Sequence, residues 1–209
     1  MTNEKRVADA MAQAPVVAIL RGVRPAEVAA VAEALVAEGV RLIEVPLNSP
    51  EPLESIRLLA RHVGSAAVVG AGTVLEPADV DRVADAGGQI IVTPNTNAAV
   101  ISRALERGLV PMPGFLTPTE AFAALAAGAR YIKLFPAGLL GLGYYKAIKA
   151  VLPASAGVLA VGGVGPANAR EWMDAGVAGL GIGTDLFRPG DTPEVVRAKA
   201  RAIMAAVQG

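Results

Sequence analysis

The stretch Val158-Leu159-Ala160-Val161-Gly162-Gly163-Val164-Gly165-Pro166, continuing through Ala167–Ala175 and Gly176 to Leu180-Gly181-Ile182-Gly183-Thr184, holds one complete repeat of this chain. A short β-rich run ends in paired glycines, and a proline stands where a first helical turn should begin. An Ala-rich segment of helical period follows, then a glycine suited to the left-handed position past a helix end, then the next β-rich run. The same succession recurs in both directions. Val16–Arg21, Leu42–Leu47, Val68–Thr73, Ile90–Pro94, Val110–Gly114 and Tyr131–Pro136 precede Val158–Gly163 and Leu180–Thr184, which makes eight runs. Segments such as Ala26–Glu38, Ala78–Ala86 and Ala98–Arg107 lie between them. Gly39, Gly87, Gly108 and Gly128 punctuate like Gly176; Pro50, Pro77, Pro118 and Pro193 punctuate like Pro166, and Thr117 with Glu120 has the spacing of a capping box. A period of about 20 to 30 residues has room for one strand, one helix and two loops. Alternating βα units require parallel strands joined by right-handed crossovers. Eight of them can close, so the expectation is a single (β/α)8 barrel domain over residues 1–209. An open doubly wound sheet is the rival, but the first run is followed by Leu20-Arg21-Gly22-Val23-Arg24-Pro25, which lacks the G-x-G-x-x-G turn of dinucleotide-binding folds.

Composition narrows the function classes. The 209 residues are 53% apolar, enough for one large core, and nineteen basic residues balance nineteen acidic ones. No excess charge points to nucleic acid or to an anionic membrane. The absence of cysteine removes disulfides, thiolate nucleophiles and cysteine-based metal sites, and is compatible with the cytoplasm. Met1 to Ala14 lacks the apolar core of a signal peptide, and charges interrupt most long apolar stretches, so a soluble protein is expected.

Barrel enzymes carry their chemistry at the C-terminal ends of the strands, where alternate residues face inwards. By that parity Val17, Ile19 and Arg21 point in from the first run, Leu42, Glu44 and Pro46 from the second, and Tyr131, Lys133 and Phe135 from the sixth. Ala18, Leu20, Ile43, Val45, Leu47, Ile132 and Leu134 point out towards the helices. A lone Lys or Glu in a strand is commonly a solvated edge residue. Three ionisable groups converging inside one barrel mouth are different, because buried charge costs several kcal/mol. Of the five lysines, Lys5, Lys146, Lys149 and Lys199 fall at the terminus or in helical segments, and only Lys133 lies within a strand. An ordinary lysine, with a pKa near 10.4, is almost wholly protonated at neutral pH. Desolvation and a neighbouring Arg21 would lower that value. A neutral amine attacks a ketone, and the resulting iminium is an electron sink that lets the adjacent carbon–carbon bond break. Glu44 is placed to shuttle the protons.

Glycine supplies the next signal. The loop after the seventh run and the end of the eighth, Gly162-Gly163 and Gly181-Ile182-Gly183-Thr184, expose backbone N–H groups where many barrels hold a phosphate. Tight turns alone would also explain them. His62 reads as a surface or helix-end residue and no metal site is visible. Trp172 reads as outer-layer packing or a subunit contact, helical Asp and Glu residues as solvated faces, and Tyr144 and Tyr145 remain unassigned.

Taken in order, Arg21, Ile43-Glu44-Val45-Pro46-Leu47-Asn48-Ser49-Pro50, Gly70-Ala71-Gly72-Thr73-Val74, Thr93-Pro94-Asn95, Pro113-Gly114, Lys133-Leu134-Phe135-Pro136-Ala137 and Gly162-Gly163 closely resemble the class I 2-keto-3-deoxy-6-phosphogluconate and -galactonate aldolases. The resemblance runs from the first strand to the eighth. It implies metal-independent cleavage of a phosphorylated 2-keto-3-deoxy sugar acid to pyruvate and glyceraldehyde 3-phosphate, without cofactor, by an enzyme that is commonly a homotrimer. By position it makes Lys133 the Schiff-base lysine and Glu44 the acid/base. It places Thr73, Pro94 and Phe135 at the pyruvate end and Gly162, Gly163 and Gly183 at the phosphate end. Two departures bear on the sugar. Asn48 stands where the gluconate branch carries a carboxylate-binding arginine, so Arg21 must supply that ion pair. Val161 stands where that branch tends to carry threonine, removing a hydroxyl contact near the substrate C4 hydroxyl. The chain resembles the galactonate branch at both places, which implies 6-phosphogalactonate as substrate, with the gluconate isomer or another phosphate-binding barrel chemistry as alternatives. A non-catalytic sugar-phosphate sensor would be expected to have lost Lys133 or Glu44, and both are present.

Overall fold

The structure, a computed structural model that describes residues 1–208, closes the repeats into a ring. Its elements in chain order are α1 (Asn3–Gln13), β1 (Val16–Ile19), α2 (Pro25–Ala37), β2 (Leu42–Pro46), α3 (Pro52–Val63), β3 (Val68–Gly72), α4 (Pro77–Asp85), β4 (Ile90–Val92) and α5 (Ala98–Glu106). There follow β5 (Val110–Met112), β6 (Gly114–Phe115), α6 (Pro118–Ala126), β7 (Tyr131–Leu134), α7 (Ala137–Lys149), β8 (Gly157–Val161), α8 (Ala169–Asp174), β9 (Gly179–Ile182) and α9 (Pro193–Gln208). All strand pairs are parallel, and the hydrogen-bonded order is β5-β4-β3-β2-β1-β9-β8-β7-β6. The two ends of that order are consecutive pieces of one stave. Eight staves therefore surround the barrel, as the repeat requires.

The fifth stave departs from the expected unbroken strand. Pro113 has no N–H to give to a ladder, so β5 pairs with β4 before it and β6 pairs with β7 after it. The Pro113 carbonyl accepts from the Lys133 N–H at 2.7 Å, which carries the ring across the break. Some helix starts also move. Pro52, not Pro50, opens α3, and α8 begins at Ala169 instead of Ala167. In the latter case Asn168 ties up the preceding loop: its Oδ1 accepts from the Gly165 N–H and its Nδ2 donates to the Gly163 carbonyl, both at 3.0 Å.

Parity separates two cores. Ala18, Leu20, Ile43, Val45, Ile132 and Leu134 join the layer between staves and helices, whereas Val17, Ile19, Leu42, Val68, Ile90, Val92, Met112 and Leu159 fill the interior. The interior cluster also contains Val7, Ala10 and Met11 of α1. Residues 1–14 were expected only to lack a signal sequence; they form a helix that seals the N-terminal end of the barrel. Thr2 caps it, Arg6 donates to the carbonyls of Gly64 and Ala67, and Asn3 and Gln89 hydrogen-bond at 2.7 Å. Among the described residues, no helix is long and apolar enough to cross a membrane.

Two undecided aromatics resolve as packing. Tyr145 is buried against Trp172, with ring centroids 5.9 Å apart, and its hydroxyl donates to the Gly176 carbonyl at 2.7 Å. Burial pushes its pKa up to about 12. Tyr144 donates to the Leu116 carbonyl. His62 pairs with Glu33 at 2.9 Å, away from the barrel mouth.

Candidate active site

At the C-terminal end of the barrel lies a cavity of about 630 Å³. Its floor is apolar, made by Ile19, Val161 and Gly181. Lys133 and Glu44 rise from β7 and β2 into it, and they are only 7% and 3% exposed. Thr73, Pro94 and Phe135 follow the ends of β3, β4 and β7 on one side, while Gly162, Gly163 and Gly183 follow β8 and β9 on the other. Arg21 lies two residues beyond β1, in a turn on the rim, and is exposed. All ten residues singled out in the sequence thus border one space. Thr184 and Asp185, at the glycine-rich end of the eighth run, border it as well; so do Arg188 and Pro189, which sequence parity does not reach because they lie past the last strand. A basic residue in the loop after the eighth strand was the available signal for Arg188.

Backbone geometry makes room for the two buried charges. Gly72 leaves room for the Glu44 carboxylate, since a Cβ there would stand 2.6 Å from Oε2 and the side chain would have to shift. That oxygen is buried and has no hydrogen-bond partner among the described residues, an arrangement costly enough to call for a functional reason. Next along, Thr73 has φ 57°, a left-handed conformation rare for a β-branched residue; such strain is typical of functional sites.

Burial dominates the titration of the pair and drives each group towards neutrality. The Lys133 amine is lowered by desolvation, raised by the Glu44 carboxylate and lowered by Arg21. Glu44 is raised by desolvation and lowered by Lys133 and Arg21. The Lys133 Nζ also lies 5.2 Å from the centroid of the Phe135 ring, a contact that favours the ammonium form and so opposes desolvation. The pair can supply a neutral amine together with a carboxyl group able to give and take a proton.

The glycine side offers donors. Gly162 and Gly163 both have positive φ, 86° and 72°. Their carbonyls are engaged by the Gly138 N–H at 2.7 Å and by Asn168. Among the described residues the N–H groups of Gly163, Val164, Thr184 and Asp185 have no protein acceptor. Four free amide donors on residues lining an open cavity could hold an anion. On the other side, Arg21 Nη1 donates to Asn48 Oδ1 at 2.7 Å, and the Gly22 N–H donates to Ser49 Oγ at 2.9 Å. Asn48 is therefore a partner of Arg21 besides being the place where a second arginine is missing.

The chain matches known proteins along most of its length. The family model for KDPG and KHG aldolase matches residues 7–197. The 2-dehydro-3-deoxy-6-phosphogalactonate aldolase of Escherichia coli K12 is 47% identical over 92% of this chain and 94% of its own length. The KHG/KDPG aldolase of the same organism is 33% identical over 93% of this chain and 91% of its own. A solved structure described as native KDPGal superposes with a TM-score of 0.91 at 47% identity, covering 93% of this chain and 94% of the other. By these matches the chain is a member of the KDPG and KHG aldolase family.

Proposed function

We propose that this protein cleaves 2-dehydro-3-deoxy-6-phosphogalactonate to pyruvate and D-glyceraldehyde 3-phosphate through a Schiff base on Lys133. The observation that carries the assignment is a buried strand lysine held below its ordinary pKa and sharing a cavity with a buried carboxylate. The neutral Lys133 amine adds to the C2 ketone, and the carbinolamine loses water to give an iminium. Glu44 takes the proton of the C4 hydroxyl. The C3–C4 bond breaks, its electron pair enters the iminium to form an enamine, and glyceraldehyde 3-phosphate leaves. Glu44 returns the proton to C3, and water releases pyruvate and the free amine. The reaction needs no metal, redox partner or net water.

Arg21 binds the substrate carboxylate, while Thr73, Pro94 and Phe135 shape the pyruvate end and Gly162, Gly163 and Gly183 the phosphate end. Val161 presents a buried apolar side chain near C4, which favours the galacto over the gluco configuration. The greater identity to the galactonate enzyme than to the KHG/KDPG enzyme supports the same choice. Exposed Leu75 and Leu116 lie in loops on the mouth side of the barrel, Leu139 in the first turn of α7 and Phe122 on α6, and together they provide apolar contacts for a homotrimer. A cytoplasmic location accords with the enzyme's small-molecule substrate and with the lack of cysteine.

Trapping with pyruvate and borohydride, followed by intact mass and peptide mapping, tests the chemistry. A single adduct on Lys133 is expected. No adduct at any pH would return the barrel to the wider pool of phosphate-binding enzymes, and comparing kcat/KM for the two C4 epimers tests the choice of sugar.

A further inference from the structure

We propose that Arg188 binds the substrate phosphate and sets the preference for phosphorylated over unphosphorylated acids, an assignment that rests on the aldolase function above. Three cations border the cavity: Lys133, Arg21 and Arg188. Lys133 is committed to the ketone carbon and Arg21 is held by Asn48. Arg188 lies in the loop after β9, the stave next to β1, where its Nε donates to the Thr184 carbonyl at 3.1 Å. This places the guanidinium on the β9 side of the mouth, near Thr184 and Asp185 and next to the β8 loop that carries Gly163 and Val164.

The rest of that guanidinium is uncommitted. Its two terminal nitrogens have no acceptor among the described residues. Asp191, three residues on, is already engaged: it accepts from the Arg188 backbone N–H at 2.8 Å and pairs with Lys199 at 2.5 Å. Electrostatics calls for a cation here. Asp185 borders the same mouth, and its carboxylate packs so closely on Gly165 that a Cβ there would meet Oδ2 at 2.5 Å. A phosphate carrying about −1.5 to −2 charge would meet that carboxylate with only backbone dipoles in compensation. The planar arginine fork supplies both the charge and paired donors for phosphate oxygens.

The test measures kcat/KM for the 2-keto-3-deoxy acid with and without its 6-phosphate, in the parent protein and in Arg188→Gln and Arg188→Lys. The Gln variant should lower the ratio of the two by roughly 10- to 100-fold, the span of a charge-assisted hydrogen bond. The loss should fall mainly in KM, with partial rescue by Lys. A merely structural role in holding the β9–α9 loop would lower both substrates by the same factor, and an unchanged ratio overturns the proposal. Cleavage of neither acid by the parent protein would overturn the aldolase function itself, so the two failures are told apart by the parent rates.

Discussion

At Lys133 three influences meet, and two of them can be removed singly. Burial lowers its amine, Glu44 raises it and Arg21 lowers it. The pH midpoint for trapping pyruvate on Lys133 should therefore lie well below the ordinary lysine value of about 10.4. Glu44→Gln removes a negative neighbour and should move the midpoint lower still. Arg21→Gln removes a positive neighbour and should move it higher. The measurement is borohydride trapping against pH, reading the midpoint and not the rate, since the loss of Glu44 also slows proton transfer. Midpoints that move in the same direction in both variants would show that Lys133 does not feel these two charges. Much of this residue-level arrangement was legible in the sequence. Strict alternation in β2 and β7 forces Glu44 and Lys133 onto the inner face whatever the surrounding loops do.

Elements and their loops set the limits of that legibility. Alternation stops at the end of a strand, and Arg21 lies beyond β1 in a turn whose shape depends on a second loop, the one after β2. Asn48 and Ser49 in that loop fasten the turn through Arg21 Nη1 and the Gly22 N–H. Counting charges at position 48 detects the absent arginine but not the new hydrogen bond, because the bond exists only once two loops meet. Asn48→Ala should weaken pyruvate binding by roughly 2- to 10-fold, because solvent offsets much of this exposed bond to a charged donor, while leaving kcat at saturation nearly as it was. Pyruvate affinity measured by titration calorimetry decides it; an unaltered Kd would mean that Arg21 finds its position without Asn48. Other features hidden from the sequence share this origin. The break at Pro113 is set by hydrogen bonds to two different neighbours, and α1 shows its purpose only when Val7, Ala10 and Met11 meet the open bottom of a closed barrel.

On the scale of the whole molecule, the barrel carries a buried charged pair that works against its own stability. Two solvation costs are incurred inside a well-packed interior, and one Glu44 oxygen is left without a hydrogen bond. Replacing such a pair by uncharged groups of similar size is often neutral or stabilising by about 1–4 kcal/mol. The double variant Glu44→Gln with Lys133→Met should therefore lose cleavage yet unfold at a higher temperature at pH 7, by several degrees at roughly 2–4 °C per kcal/mol for a chain of this size. The two directions of titration fix how this gap depends on pH. Lys133 is lowered by folding, so the parent protein regains stability as pH rises towards the ordinary lysine value. Glu44 is raised by folding, so the parent also regains stability as pH falls towards the ordinary carboxylate value. The gap should be widest near neutrality and narrow on both sides. Thermal unfolding of both proteins across that span reads it directly, and a double variant less stable than its parent at pH 7 would mean that the pair helps to hold the barrel together.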